Sequence, residues 1–517
     1  MIPKRQMLEM ASRSQLRTVS VPSCIGGLNG RDALAAMKPT DAVILDNWFC
    51  EPSFISVRKG SLTWASGLPG AVESLMAWNG PNGTHKLFAA SVTGIYDISL
   101  GGVVGAAAQS GLTNARWQKA MLGTAGGNFL MLVNGADTYR TYDGSAFAVQ
   151  TITGLGSYAT TDFIDVDVYK QRAFFVIKGT LKYAYLAVSS IAGAASVVDL
   201  GSLFKLGGYL VSIMTWSFDS GSGLGDYIAF LTSEGEIAVY QGTDPSNANL
   251  WALVTLFRTG RPVGRRVYQR MGPDLAVITA DGVIPLAKAM SADRNAPGAA
   301  ITDRIQNMLN DDFQLYGANF GWQMILHPVG KKLILNVPEN SNVSAHQYVM
   351  NTITGRWSRF TGWNANCFEV SSDVLYFGSD KVVKIADTGN NDDGQPILVD
   401  AQPAFSSFGN PGRIKHFKMC RPVFRATADV NANIDLNVDF ENRARIGSVN
   451  TSSAGGTPWA SIKWDSWKWG GAARMVKKWL STPGMGYWAC ARLKLSVKDV
   501  DVAWLSTDHA FEVGGVL

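Results

Sequence analysis

The stretch "YIAFLTSEGEIAVY", residues 227–240, sets two short apolar runs on either side of a Glu234-Gly235 corner. Each run is too short for a buried helix, and the aromatic and β-branched residues suit strands. A glycine at the corner supplies the positive φ that a tight hairpin turn requires. The stretch therefore reads as a β-hairpin. The same figure recurs in "LFAASVTGIYDIS" (87–99), "FLMLVNGADTYRTY" (129–142), "AFFVIKGTLKYAYL" (173–186), "LAVITADGVIPLA" (275–287), "KLILNVPENSNVSAHQYVM" (332–350) and "VLYFGSDKVVKIAD" (374–387). Seven hairpins follow one another, with turns spaced roughly 37 to 60 residues apart, which overlaps the length of a four-stranded propeller blade. No WD or Kelch signature accompanies them. The fold expected is mainly β: a β-propeller of six to eight blades over residues 61–390.

Around this segment the sequence predicts an N-terminal arm with short helices at 1–60 and a β-rich platform domain at 391–517. The helices expected are few: 31–37, 40–48 with Thr40 as N-cap, and 303–311 with Thr302 as N-cap. "DTGNNDDGQP" (387–396) concentrates turn formers and reads as a linker. In "DVNANIDLNVDF", Val430, Ala432, Ile434, Leu436, Val438 and Phe440 alternate with Asn431, Asn433, Asp435, Asn437 and Asp439, so one face is expected to be buried and the other to meet solvent or a partner.

The chain has 517 residues, of which only 17% are charged, with 54 Gly, 16 Trp and a formal net charge of +5. Globular chains usually carry about 25% charged residues, so this surface is expected to be partly covered by neighbouring molecules, as in an assembly component. The small net charge gives no bulk signal for nucleic acid. Five scattered cysteines without a C-x-x-C point to neither a disulfide framework nor a zinc site, and to a reducing compartment. The first 22 residues lack the apolar segment of a secretion signal, and no run approaches a membrane span.

Motifs for chemistry are missing in the same way. Gly26, Gly27 and Gly30 do not make the dinucleotide fingerprint, and no phosphate-binding loop occurs. The five histidines form no metal or protease motif, and there is no G-x-S-x-G elbow. Asp162, Asp165 and Asp167 lie close together in "DFIDVDVY", but the shared face of Asp165 and Asp167 suggests an exposed edge strand more than a carboxylate pair for glycan cleavage. No cofactor, metal or enzymatic activity is expected.

Two basic segments remain. "FRTGRPVGRRVYQRMG" carries Arg258, Arg261, Arg265, Arg266 and Arg270, and "WASIKWDSWKWGGAARMVKKWL" interleaves Trp464, Trp467 and Trp469 with Lys477 and Lys478. Arginine forks suit phosphate or carboxylate, and aromatic-cation mixtures can stack on bases. The same residue types dominate protein interfaces, so inter-subunit, inter-blade or adaptor contacts are the expectation for both.

Taken whole, "GGLNGRDALAAMKPTDAVILDNWFCEPSFISVRKG" (26–60) resembles the N-terminal signature of the tail nozzle (tail tubular) proteins of short-tailed bacteriophages, the podoviruses: a "GGLN-RD" turn, a short helix ending in "P-DA---DN", then an "R-G" strand. "RTGRPVGRRV", "NTITGRWSRFTGW" and "FSSFGNPGRIKHFKMCRPVFRATADVNANIDLNVDF" are similar to later segments of that family, in the same order. The resemblance implies a propeller joined to a β-rich platform and a homohexameric ring below the head-to-tail adaptor. It implies double-stranded genomic DNA passing through the lumen, possible contacts with tail fibres or a tail needle, and residence in the virion tail after assembly in the host cytoplasm. Residues 26–60 would then lock the platform and hold no ligand. A conduit must let DNA slide, so a neutral or acidic lumen is expected, with the arginine and tryptophan clusters at subunit or adaptor contacts. A glycan-binding or glycan-cleaving β-propeller is the other function class compatible with the hairpins.

Overall fold

The short apolar runs fold as strands: a computed structural model of the chain is 57% strand and 5% helix. It describes residues 16–219, 224–291, 300–441, 450–453 and 473–514, which divide into two compact units. One is Leu62–Tyr348 with Gly362–Ala386; the other gathers the described residues up to Ser61, Val349–Thr361, and those from Asp387 onward.

The first unit is a β-propeller. Its blades open with the strands Gly60–Asn79 (in its second half), Gln118–Thr124, Phe163–Tyr169, Leu210–Asp219, Tyr268–Met271, Gln323–His327 and Cys367–Ser371, numbered here blades 1 to 7. In blades 2, 3 and 4, four antiparallel strands pair in sequence order. In blade 7, three strands pair in order and the last lies beside Gly60–Asn79, which continues into blade 1. One strand thus serves the first and last blades and closes the ring. The quoted hairpin is the middle of blade 4, with Ile228 opposite Tyr240 and Leu231 opposite Ile237. Gly235 at its corner has φ +82°, and a Cβ there would sit 2.5 Å from the Gly260 carbonyl oxygen. Between neighbouring blades the inward-facing apolar residues interlock; Met131, Val133 and Tyr139 of blade 2 meet Phe163, Val166 and Phe175 of blade 3.

The second unit is two sheets with a shared apolar core. One is centred on Lys415–Ala426 and Val502–Val513, which pair antiparallel, with Leu16–Pro22 added to the free side of Val502–Val513. The other runs Arg356–Thr361, Asp41–Asp46, Ile397–Pro403, Ala489–Lys498, Ala432–Val438. Phe417, Cys420 and Phe511 of the first sheet pack on Leu436, Val438, Ala489 and Ala491 of the second. All five cysteines are free and buried.

Several expectations need correction. Residues 31–37 are turns, and 40–48 form the strands Asp41–Asp46 and Trp48–Cys50 instead of a helix. Val43 and Ile44 in its middle are β-branched, and the backbone groups of the strand find partners in Gly27–Leu28 and Ile397–Pro403. The third helix exists as a 3-10 turn, Asp303–Ile305, leading into Gln306–Tyr316. Thr302 does not cap it by side chain; its hydroxyl accepts from the Val283 amide at 3.0 Å. Residues 349–361 belong to the second unit, where Arg356–Thr361 meets Asp41–Asp46. The alternation of 430–440 is incomplete: Asn437 is as buried as its neighbours Leu436 and Val438. Residues 387–396 are anchored, because Asp392 receives Arg58. No helix among the described residues is long and apolar enough to cross a membrane.

Candidate functional site

The first strands of the blades carry polar side chains toward the propeller axis, where they surround a cavity of about 610 Å³. Asp165 and Asp167 of blade 3, Arg265, Arg266 and Arg270 leading into and along the first strand of blade 5, and the Lys119–Glu369 ion pair line it. The expected exposed edge at Asp165 and Asp167 is therefore wrong. Their strand is the innermost of its blade, and both residues are buried. Asp162 lies apart, accepting the Ala159 amide at 2.9 Å.

Asp165 accepts from the Ser212 hydroxyl at 2.6 Å and the Ile213 amide at 3.0 Å, which ties blade 3 to blade 4. Burial pushes its carboxyl up to about 7 against the pull of those donors, with Asp167 adding to the rise. Asp167 accepts from Thr215 at 2.9 Å, Tyr268 at 3.1 Å and Arg270 at 3.0 Å, so blades 3, 4 and 5 meet on one carboxylate. Burial, then Asp167, holds the Tyr268 phenol far above its ordinary value. For Arg270 burial acts downward, but Asp167 beside it prevails and the guanidinium is raised.

Arg265 and Arg266 face different partners. Arg265 donates to the Asn134 carbonyl at 3.2 and 3.3 Å. Arg266 donates to the Glu73 carbonyl and the Ser74 hydroxyl, both at 2.8 Å. Blade 5 is thereby bonded across the axis to blades 2 and 1. Both guanidiniums are lowered, chiefly by burial. Chemically the ring is a set of cross-braces: its acids accept from hydroxyls, an amide and Arg270, Arg265 and Arg266 donate to carbonyls and the Ser74 hydroxyl, and the set offers no nucleophile beside a base.

Of the basic residues singled out from sequence, Arg265, Arg266 and Arg270 thus come together inside the chain, as inter-blade braces. This is the inter-blade contact named among the expectations: Arg265 and Arg266 reach Asn134, Glu73 and Ser74, and Arg270 reaches Asp167. Arg258 is exposed at the end of Trp251–Arg258, and Arg261 is exposed and paired with Glu234 at 2.7 Å. Lys477 and Lys478 are exposed in the other unit. Trp464, Trp467 and Trp469 lie outside the described residues. Sequence reasoning missed Asn134, Ser212, Thr215 and Tyr268, which come from blades 2, 4 and 5 and share no local motif. Their one legible signal is position: Ser212, Thr215 and Tyr268 sit on strands that open a blade, and Asn134 directly follows Gly127–Val133 at a turn.

In the other unit the 26–60 stretch forms a second polar constellation. Asn29 donates to Asp32 and Asp41, both at 2.9 Å. Asn47, with φ +61°, donates to Thr361 at 2.8 Å and to the Leu398 carbonyl at 2.7 Å. The Arg58 side chain, 1% exposed, spends its fork on Asn47 (2.8 Å), the Lys59 and Thr361 carbonyls (both 2.9 Å) and both oxygens of Asp392 (2.9 and 2.5 Å). A Cβ at Gly60 would fall 1.7 Å from the Asn391 carbonyl oxygen, and one at Gly27 2.8 Å from that of Trp357. Among the described residues no group of three or more His, Cys, Asp and Glu could hold a metal ion.

No family model and no curated protein matches the sequence. Among solved structures the chain is similar to the β-propeller domain of Myceliophteria thermophila Cps50 (Swd1), at 11% identity and TM-score 0.42 over 63% of this chain and 99% of that one. It is similar to the WD40 β-propeller domain of Doa1 at 10% identity and TM-score 0.38, covering 63% and 96%. A third likeness is to BBS1N, solved in complex with ARL6DN, at 12% identity and TM-score 0.39, covering 64% and 98%.

Proposed function

We propose that the chain is a structural virion protein, the tail nozzle of a short-tailed bacteriophage. In this reading six copies form a ring below the head-to-tail adaptor, extend the DNA channel, retain packaged DNA and open for genome ejection. Its place is the virion tail, after assembly in the host cytoplasm. Its partners are further copies of itself, the adaptor, and tail fibres or a tail needle, with transient contact to double-stranded DNA in the lumen. It has no catalytic role.

One observation carries the reading. The residues of the resembling 26–60 stretch are spent inside its own unit: Asn29 on Asp32 and Asp41, Asn47 on Thr361 and the Leu398 carbonyl, Arg58 on the Thr361 carbonyl and the Asp392 carboxylate, with Gly60 pressed against the Asn391 backbone. A motif whose polar atoms are consumed in this way holds a platform together, and a ligand-binding motif would leave donors aimed at an open cleft. The engaged charges of the propeller axis support the same reading against a glycan-cleaving one, which needs two free carboxylates flanking a sugar.

The test is to mix the purified protein with an adaptor ring of a short-tailed phage and measure the mass of the complex by sedimentation. Six copies per adaptor ring are expected. A protein that stays monomeric beside its cognate adaptor, and binds a glycan array instead, contradicts the proposal.

A further inference from the structure

We propose that Arg116, Arg265 and Arg266, arranged around Phe320, form an oxyanion pocket in the propeller that takes a phosphate dianion. The inference is independent of the nozzle reading. A cavity of about 280 Å³ opens beside these residues, lined also by Gly264, Gly321, Trp322 and Ser341, with no acidic residue in its wall. Arg116 and Arg266 share one aromatic surface: their guanidinium carbons lie 4.4 and 5.5 Å from the Phe320 ring centre. Arg265, next in the chain to Arg266, lies close enough that both other arginines act on its charge.

The balance of charge is what points to a ligand. Arg265 and Arg266 have no ion pair among the described residues; their bonds go to carbonyls, the Ser74 hydroxyl and the Gln323 amide oxygen. Arg116 has one acidic partner, Glu73, which receives its Nε and Nη2 at 3.1 Å and leaves Nη1 uncommitted. The carboxylates of Asp165, Glu369 and Glu73 attract the half-buried guanidiniums of Arg265 and Arg266 without bonding them. Three guanidiniums against one bonded carboxylate leave an excess of two positive charges at the cavity. Burying like charges together without a counter-ion is costly, and a neutral amide would donate to the same carbonyls as well. A phosphate group carries roughly −1.5 to −2 at neutral pH and matches the excess; a phosphodiester, with a single charge, matches it less well. Arginine forks are suited to that geometry.

Calorimetric titration of the full chain with inorganic phosphate at low ionic strength tests this. One phosphate per chain is expected, with chloride at the same ionic strength giving no heat of binding. Arg265→Gln and Arg116→Gln are each expected to weaken binding at least tenfold; Arg116 is nearly half exposed, so its variant folds even if the Arg265 variant does not. Glu73→Gln, which removes the competing carboxylate, is expected to tighten binding severalfold, an effect no purely structural role produces. Absence of binding, wild-type affinity in the Arg116 variant, or no tightening in the Glu73 variant overturns the proposal. Displacement of the phosphate by duplex DNA at equal phosphate concentration overturns the assignment to a dianion and makes the pocket a contact for the nucleic-acid backbone.

Discussion

Replacing Arg58 with alanine probes the constellation that gives the 26–60 stretch its role. The substitution strips donors from Asn47, the Lys59 and Thr361 carbonyls and Asp392 at once. Removing one partner of a buried ion pair costs about 3–5 kcal/mol, mostly because the survivor is left buried without compensation. Asp392 is 18% exposed and recovers some hydration, which offsets the further loss of three neutral acceptors' donors and places the expectation at about 4 kcal/mol. For a domain of about 150–250 residues each kcal/mol moves the midpoint by about 2–4 °C, so a drop of about 8–16 °C is expected. Arg58→Lys keeps the charge but is a point donor in place of a fork, and about half the drop is expected. Because the chain has two units, unfolding is not expected to be two-state as a whole. Differential scanning calorimetry should show the transition of the unit that holds Arg58 falling while the propeller's stays put. A drop below about 3 °C, or equal shifts in both transitions, would refute the reasoning.

Three further expectations follow from single groups. His346 is hydrogen-bonded by both ring nitrogens, to Glu339 at 2.9 Å and Asp312 at 3.3 Å, and these carboxylates raise its value despite burial. Its contribution is full below the ordinary histidine value of about 6.5 and is lost as pH rises through the raised one, so amides of Gln306–Tyr316 should lose hydrogen-exchange protection as pH rises above that ordinary value, and His346→Gln should flatten that trend. Asp165, pushed up to about 7, binds its proton more tightly folded than unfolded, so its contribution falls as pH rises from the ordinary aspartate range through 7. Asp165→Asn should therefore raise the propeller's melting midpoint at alkaline pH and change it little near pH 4. Gly60→Ala drives a Cβ into the Asn391 backbone and should destabilise its unit by about 1–3 kcal/mol in denaturant titration; wild-type stability would show that the 387–396 segment yields freely.

The propeller was legible because a hairpin is a local object: two apolar runs and a glycine corner, as at 227–240, declare themselves within 14 residues. The strand Asp41–Asp46 was misread as helical because its partners lie at 27–28 and 397–403, and no local pattern announces pairing across such distances. The axial site failed for the same reason on a larger scale. Arg265 and Arg266 stand out in sequence, but that they face inward is decided by Asn134, Glu73 and Ser74, each on another blade. Asp165 and Asp167 looked like an exposed face because alternation tells which residues share a side, and not whether that side is the solvent or the axis.

The central claim, that this chain is a ring-forming structural component, is tested most directly by electron microscopy of the purified full-length protein with and without its adaptor. Rings of six copies enclosing an open central pore, nucleated or sharpened by the adaptor, are the result the account predicts. Isolated propeller-sized particles under both conditions, with no pore at any concentration, would contradict it.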